Sequence, residues 1–386
     1  MRATFLMPAY GWVPSGGFKV VFEYANRLVA RGHEVTVVQP RRLKNSGYTA
    51  TLSAYRRLRN AVEGTVELFA KPKILWHPLD ERVRLLYVSN SDSRKMPDGD
   101  VLIATSWATV QSVLDCPPEK GEKFYLIQGY ETWMGPKELV DATWRAPLTR
   151  VVVSQWLREV GERLGCGGTI YIPNAVDHGR YRVKREIANR PLQVAMLYST
   201  GEIKGSADGF RALEIVRRKF PGLRVVCFGV TRRLSWVPDW VDYRRNPPQD
   251  FIVDEIYNKS RVFVSSSWTE GFSLPAAEAA ACGCAIVATD SGGIRDFVRD
   301  GVTGLLSAPK DPEALARNLC IVLQDDALRI RLASAGRECV AALDWDRSVA
   351  QLEELLSESV ACRGKLARAM APPAGVFCGA DAGRKE

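Results

Sequence analysis

Short apolar runs alternate with amphipathic stretches along this chain, and the alternation stops near residue 174 and restarts near residue 193. An alternation of strand and helix builds a parallel sheet with helices on both faces. Two such stretches in 386 residues ask for two domains rather than one core. The first half predicts strands over 3–7, 34–38, 84–88, 101–104, 124–128, 151–154 and 170–173. A helix over 18–31 carries Val21, Phe22, Ala25, Leu28 and Val29 on one face and stops at Gly32. A further helix bears Trp156, Leu157 and Val160. The second half predicts strands over 193–197, 224–228, 262–264 and 285–288, and helices over 206–220, 250–258, 311–322, 326–343 and about 348–359. The polar stretch 174–191 reads as a linker. The expected division is therefore 1–175, 190–345, a terminal helix over 346–362 and a loose tail over 363–386. The fold class is α/β, with two doubly wound, Rossmann-like domains facing across a cleft. Ligands of such sheets sit at the carboxyl ends of the strands.

Residues 265–283, SSSWTEGFSLPAAEAAACG, carry most of the chemistry. Glu270 and Glu278 stand eight positions apart, with a glycine loop between a strand and an alanine-rich helix. Such a loop turns backbone N–H groups and the positive helix end toward an anion. A carboxylate one turn into that helix accepts hydrogen bonds from sugar hydroxyls. Anion donors beside a hydroxyl acceptor suit a nucleotide or nucleotide-sugar. The alternative is a capping carboxylate and a solvated helix residue.

The net charge of +9 fits an acidic partner. No dense lysine block or aromatic-interleaved motif points to nucleic acid. Arg56, Arg57 and Arg59 are candidates for touching anionic lipid or a phosphate-linked acceptor. No apolar run reaches the roughly 18–20 residues of a membrane span, and the amino-terminal segment reads as a strand rather than a signal peptide. Nine cysteines without a C-x-x-C pair give no zinc spacing and favour a reducing cytoplasm. His33, His77 and His178 form no metal-spaced group.

Glu270-Gly271-Phe272-Ser273-Leu274-Pro275 with Glu278, Ala281-Cys282-Gly283, Val287-Ala288, Gly292-Gly293 and Asp300-Gly301-Val302-Thr303-Gly304 resembles the carboxyl domain of GT-B retaining glycosyltransferases of family 4, the group 1 glycosyl transferases. Gly16-Gly17 before a helix, Arg31-Gly32-His33-Glu34-Val35 and Ile172-Pro173-Asn174-Ala175-Val176-Asp177 agree with it. The resemblance covers most of residues 1–345. It implies transfer of a hexosyl or deoxyhexosyl group from a nucleoside-diphosphate sugar to an acceptor hydroxyl, retaining, with neither metal nor cofactor.

The resemblance also implies roles. Lys204 and the amides of Phe272, Ser273 and Leu274 meet the diphosphate. Gly16 and Gly17 let the opposite domain approach the donor. Glu278 takes the ribose hydroxyls, and Glu270 sits by the transferred sugar. Residues 229–250 flank the base. Two departures stand out. Ser199 occupies the place where many relatives carry a second phosphate-binding arginine, and Arg232 or Arg233 is the candidate replacement. Gln128-Gly129-Tyr130-Glu131 stands where relatives often have a histidine, and similar text occurs in rhamnosyltransferase-like members. Gln128, Tyr130 and Glu131 then either line the acceptor side or merely end a strand.

The expected partners are a nucleotide-sugar donor and a glycan, lipid or small-molecule acceptor, in the cytoplasm or at the inner membrane face. A nucleotide-sugar epimerase of similar architecture and a non-catalytic nucleotide-sugar-binding subunit remain as alternatives. A phosphorylase lacks its lysine signature here, and a dehydrogenase lacks G-x-G-x-x-G after the first strand.

Overall fold

The computed structural model describes residues 1–44 and 74–370. Arg56, Arg57 and Arg59 lie outside that range. The first domain is built on β1 (Arg2–Leu6), β2 (Glu34–Pro40), β3 (Arg84–Val88), β4 (Val101–Ala104), β5 (Glu122–Ile127), β6 (Thr149–Val152) and β7 (Ile170–Tyr171). The second is built on β8 (Gln193–Leu197), β9 (Arg224–Gly229), β10 (Val241–Arg245), β11 (Val262–Ser265), β12 (Ala285–Thr289) and β13 (Leu305–Ser307). All the pairings are parallel. The orders are β3-β2-β1-β4-β5-β6-β7 and β10-β9-β8-β11-β12-β13. Each order reverses direction once, between β1 and β4 and between β8 and β11. The loops leaving those four strands flank a crevice in each domain.

Strand residues of the second sheet divide between two cores with period two. Val194, Met196, Val225, Cys227, Val262, Val264 and Val287 pack on one side with helices Ser206–Lys219 and Pro312–Gln324. Their neighbours Ala195, Val226, Phe228, Phe263 and Ile286 belong to the other core, which is continuous with that of the first domain. A strand buried on both faces reads as an unbroken apolar run, and that is why these strands stood out in the sequence. β10 and β13 did not, because they are edge strands with several partly open side chains. Helices Trp107–Leu114 and Lys137–Trp144 were also absent from the sequence reading. The stretch expected as a helix over 250–258 begins as α-helix at Gln249–Phe251 and continues as a π-helix over Ile252–Tyr257.

The terminal helix is longer than expected and returns to the first domain. It spans Trp345–Met370, so the expected loose tail begins as helix; residues 371–386 lie outside the description. The Trp345 ring meets Tyr24 edge-on at 5.4 Å. Glu353 accepts from Arg31 at 2.8 Å and pairs with His33 Nε2 at 2.6 Å. Val349, Leu352 and Leu356 complete the apolar contact.

The presumed linker is a packed element. Arg190 is 1% exposed, and its guanidinium donates to the carbonyls of Tyr257, Ser260, Cys282 and Arg185. Burial pushes that guanidinium below the usual arginine range, and the ring of carbonyls is what makes its charge tolerable.

A second carboxylate ties the domains together. Asp296 accepts from the backbone N–H of Gln155 at 3.1 Å and from the Tyr171 hydroxyl at 2.9 Å. It thereby caps helix Gln155–Arg163 of the other domain. Beside it, a Cβ on Gly292 would lie 2.5 Å from the Trp156 ring, so only glycine lets the two domains meet there. Burial raises the Asp296 carboxyl to about 6, against the two hydrogen bonds that favour the charged form. A carboxyl raised on folding gives its full stability below the unfolded value and loses it as pH rises through about 6. Asp296→Asn keeps an oxygen acceptor without the charge. At pH 8 it should stabilise the fold by about 2 kcal/mol after allowance for water access, and at pH 4 it should be neutral. Urea unfolding at the two pH values checks this.

Candidate active site

The carboxyl ends of both sheets open onto one cleft of about 1660 Å³. The first domain lines it with Gly16 and Gly17 at the start of helix Gly16–Ala30, with Thr105 and Ser106, and with Gln128, Gly129 and Glu131. The second lines it with Ser199, Lys204, Glu270 to Pro275 and Glu278. Gly271 sits against the first domain so closely that a Cβ there would lie 1.8 Å from the Gln128 carbonyl oxygen.

Glu270 hangs at the rim of β11. Lys204 Nζ reaches its two carboxylate oxygens at 2.7 and 2.9 Å, and the Ser267 hydroxyl donates at 2.8 Å. Its backbone N–H donates to Ser291 O, and its carbonyl accepts from Gly293, which locks the residue between two loops. Ser273 then adopts φ 77°, a left-handed conformation uncommon for a residue with a Cβ. That turn launches helix Leu274–Ala281. Among the described residues nothing accepts from the N–H groups of Ser273 and Leu274, and both residues line the cleft. The Phe272 side chain is turned inward, 5.5 Å from the Phe297 ring, so only its backbone is available to the loop.

Glu278 lies one turn further on, 8% exposed. It is held from the opposite domain: Lys19 Nζ donates to Oε1 at 2.6 Å and to the Tyr181 hydroxyl at 3.0 Å. Tyr257 Oη donates to Oε2 at 3.4 Å, and Tyr181 donates to Gln249. Burial pulls the Lys19 ammonium down, but the Glu278 carboxylate and the Tyr181 hydroxyl outweigh it and hold it above the usual lysine range. Sequence reasoning missed Lys19, Tyr181, Tyr257 and Gln249. The only signal available was a cation one turn into the helix that follows Gly16-Gly17.

Three buried polar atoms on the cleft lining have no hydrogen-bond partner among the described residues: Gln128 Oε1, Asn174 Oδ1 and His77 Nε2, the last lying 3.9 Å from Glu23 Oε1. Burial, then Lys19, Arg180 and Arg27, pushes His77 down to about 3, so the ring is neutral at pH 7. Glu131 accepts from the Ser106 hydroxyl and the Trp107 N–H, both at 2.9 Å, and burial raises its carboxyl to about 7 against those bonds.

Two expected residues are not at the cleft. Tyr130 donates to Asp141 at 2.6 Å and packs edge-on to Trp144 inside the first domain. Arg232 is exposed and absent from the lining, and Arg233 bonds the carbonyls of Val237 and Pro238 in its own loop. The reason is Trp236. It packs 5.8 Å from both Tyr198 and Phe210 and folds the 230–240 loop back on its own domain. Neither arginine is among the residues that line the cleft beside Ser199. Among the described residues no group of three His, Cys, Asp or Glu is placed to hold a metal ion, and no helix is long and apolar enough to cross a membrane.

Residues 192–325 match the family model described as glycosyl transferases group 1. The match falls on the second domain. A D-inositol 3-phosphate glycosyltransferase of Salinispora arenicola is 39% identical over 109 residues, 28% of this chain and 24% of that protein. One from Corynebacterium efficiens is 34% identical over 142 residues, 36% of this chain and 32% of that protein. The similarity thus spans about a quarter to a third of these curated relatives. Whole-chain likeness comes from structures. Sucrose-phosphate synthase of Thermosynechococcus elongatus superposes with TM-score 0.69 at 17% identity, covering 94% of this chain and 99% of that one. HepE of Anabaena in complex with UDP-glucose superposes with TM-score 0.68 at 15% identity, covering 93% and 100%. The fold is GT-B, as the resemblance implied.

The Lys19–Glu278 pair gives a test of this geometry. Breaking a buried pair leaves a buried charge alone, so Lys19→Met should destabilise by about 3 kcal/mol. Lys19→Met with Glu278→Gln should cost less than the two single changes together, as contacting partners do in a double-mutant cycle. Urea denaturation of the four proteins reads the coupling.

Proposed function

We propose that this protein transfers a hexosyl or deoxyhexosyl group from a nucleoside-diphosphate sugar to an acceptor hydroxyl, with retention of anomeric configuration. The reading is carried by one observation: Lys204, Glu270, Glu278 and the partnerless amides of Ser273 and Leu274 converge on one interdomain cleft. The diphosphate takes the two amides and Lys204. As the bond to the anomeric carbon breaks, negative charge gathers on the leaving diphosphate, and preorganised donors stabilise that charge without reorganising. Lys204 leaves Glu270 in part to do so. Glu270 then faces the sugar, holding its hydroxyls and the positive charge that develops at the anomeric carbon.

Glu278 receives the ribose hydroxyls. Its Oε2 is the free side, since the Tyr257 contact is long and Lys19 occupies Oε1. Phe228 to Val230 and Asn246 to Asp250 line the wall where the base fits. The HepE complex contains UDP-glucose, which makes UDP-sugars the first donors to try. Sugar hydroxyls would satisfy the buried acceptors Gln128 Oε1 and Asn174 Oδ1, whose isolation is otherwise costly. Acceptor recognition belongs to the first domain. The eight described cysteines are unpaired, which supports a reducing compartment such as the cytoplasm.

Thermal shift across UDP-, GDP-, dTDP- and ADP-sugars should raise the melting temperature for one base family, because a ligand of the folded state stabilises it. With that donor, Glu278→Ala should weaken binding and Glu270→Gln should lower kcat with little change in donor KM. Lys204→Ala should lower kcat by on the order of 100-fold or more. Full activity in all three variants would remove the assignment.

A further inference from the structure

The two walls of the cleft differ in kind. Among the described residues ten large apolar side chains are exposed. The four of them that line the cleft, Trp12, Leu75, Trp133 and Met134, all belong to the first domain. Trp12 is 43% exposed, Trp133 39% and Met134 37%. Bare apolar faces gathered in a cleft mark a place where matter of like character is to cover them.

The two rings are braced. Trp12 meets Tyr10 edge-on at 5.9 Å, and Tyr10 meets Tyr87 of β3 edge-on at 5.4 Å. Trp133 lies on Gly129, 3.1 Å from where a Cβ would stand. Trp12 is carried by the loop after β1, and Trp133 and Met134 by the loop after β5. Because β4 runs between those strands, the two loops stand on either side of it at the carboxyl end of the sheet. The loop after β5 also abuts the Glu270 loop, since a Cβ on Gly271 would lie 1.8 Å from Gln128 O. The apolar wall thus starts beside the residue read as gripping the transferred sugar.

Charge and polarity on the same loops agree. Residues 7–15, 105–106 and 128–136 follow β1, β4 and β5 and hold no lysine or arginine; Glu131 is their one charged group. The cations that line the cleft stand elsewhere. Lys204 is on the second domain, Lys19 is held to Glu278, and Arg180 shares a small polar cavity with Lys19. A phosphate- or carboxylate-bearing acceptor would ask these loops for a cation. Their hydroxyls are turned to internal partners: Thr105 donates to Leu6 O at 2.8 Å, Ser106 to Glu131 at 2.9 Å and Tyr130 to Asp141 at 2.6 Å. A long glycan would find few side chains to bond, whereas a single hydroxyl has the open Gln128 Oε1.

We infer that the acceptor presents its hydroxyl from an apolar body, alkyl or aryl, which lies along Trp12, Trp133 and Met134. The first domain selects acceptors by that body rather than by charge. Each methylene taken out of water strengthens binding by roughly three- to fourfold, so a chain that only partly reaches the rings already gains about tenfold.

The inference rests on the glycosyl-transfer reading and narrows its acceptor. With the donor that raises the melting temperature, kcat and KM are measured for methyl, octyl and phenyl glucoside and for glucose 6-phosphate, the octyl glucoside being kept below its micelle concentration. KM for octyl or phenyl glucoside should lie about tenfold or more below that for methyl glucoside, and glucose 6-phosphate should be the poorest of the four. The lower of the two values tells an alkyl body from an aryl one. In Trp12→Ala and Met134→Ala the ratio of the methyl to the octyl or phenyl KM should shrink by about threefold or more. General loosening of the fold would move all the glucosides alike and leave that ratio in place. Titration calorimetry without donor should show octyl or phenyl glucoside binding more tightly than methyl glucoside, with a negative heat-capacity change. Equal KM values for the three glucosides, preference for glucose 6-phosphate, no preference in calorimetry, or an unmoved ratio in both variants overturns the inference. If calorimetry shows the preference and its loss in Trp12→Ala while no donor supports transfer, the apolar subsite stands and the glycosyltransferase reading falls.

Discussion

Everything in this molecule depends on two loops meeting with no side chain between them. Gly271 presses on the backbone of Gln128 and Gly129, and a methyl group there would overlap a carbonyl oxygen at 1.8 Å. The contact joins the rim of β11 to the rim of β5 at the mouth of the cleft. Because it is backbone against backbone, it sets the spacing of the walls. Glu270 on one side and Gln128 and Glu131 on the other take their positions from it. Gly292 against Trp156 repeats the device deeper in the junction. Two close approaches fix an orientation as well as a distance, and a site assembled from two domains needs both.

Charge is arranged with the same economy. Without a ligand, each acidic residue of the Glu270–Glu278 loop already has a lysine: Lys204 for Glu270, and Lys19, from the other domain, for Glu278. An uncompensated charge in such a place would be strongly destabilising. On the proposed reading a donor molecule brings its own charge and hydroxyls, so its binding is an exchange of partners. Lys204 is 31% exposed and Glu270 14%, while Lys19 and Glu278 are at 12% and 10%. The first pair is the more open of the two. The second is sealed, and Lys19 holds one of the two Glu278 oxygens.

Much of the fold was legible because buried parallel strands are continuous apolar runs. β8, β9, β11 and β12 lie within a residue or two of their expected bounds. β10 was lost because its sequence, VDYRR, is an edge strand with one buried residue. The loop with Glu270 and Glu278 was legible because its glycine, proline and paired acids form a local pattern. Lys19, Tyr181 and Tyr257 were not. They reach Glu278 from three separate segments, and nothing in local spacing reports a meeting of residues 19, 181, 257 and 278. Arg232 failed for a similar reason: its direction is set by where Trp236 packs, a tertiary fact.

The chain passes between the domains twice, and the two passages are bonded to each other. Val176 N–H donates to Leu343 O at 3.0 Å, Val176 bridges Asp344, and the Ser348 hydroxyl donates to Pro173 O at 2.8 Å. The outgoing strand is also anchored by Arg190, and the returning one by Trp345 on Tyr24. Two free linkers would let the domains twist and slide. A bonded pair of passages instead ties the two crossings into one element.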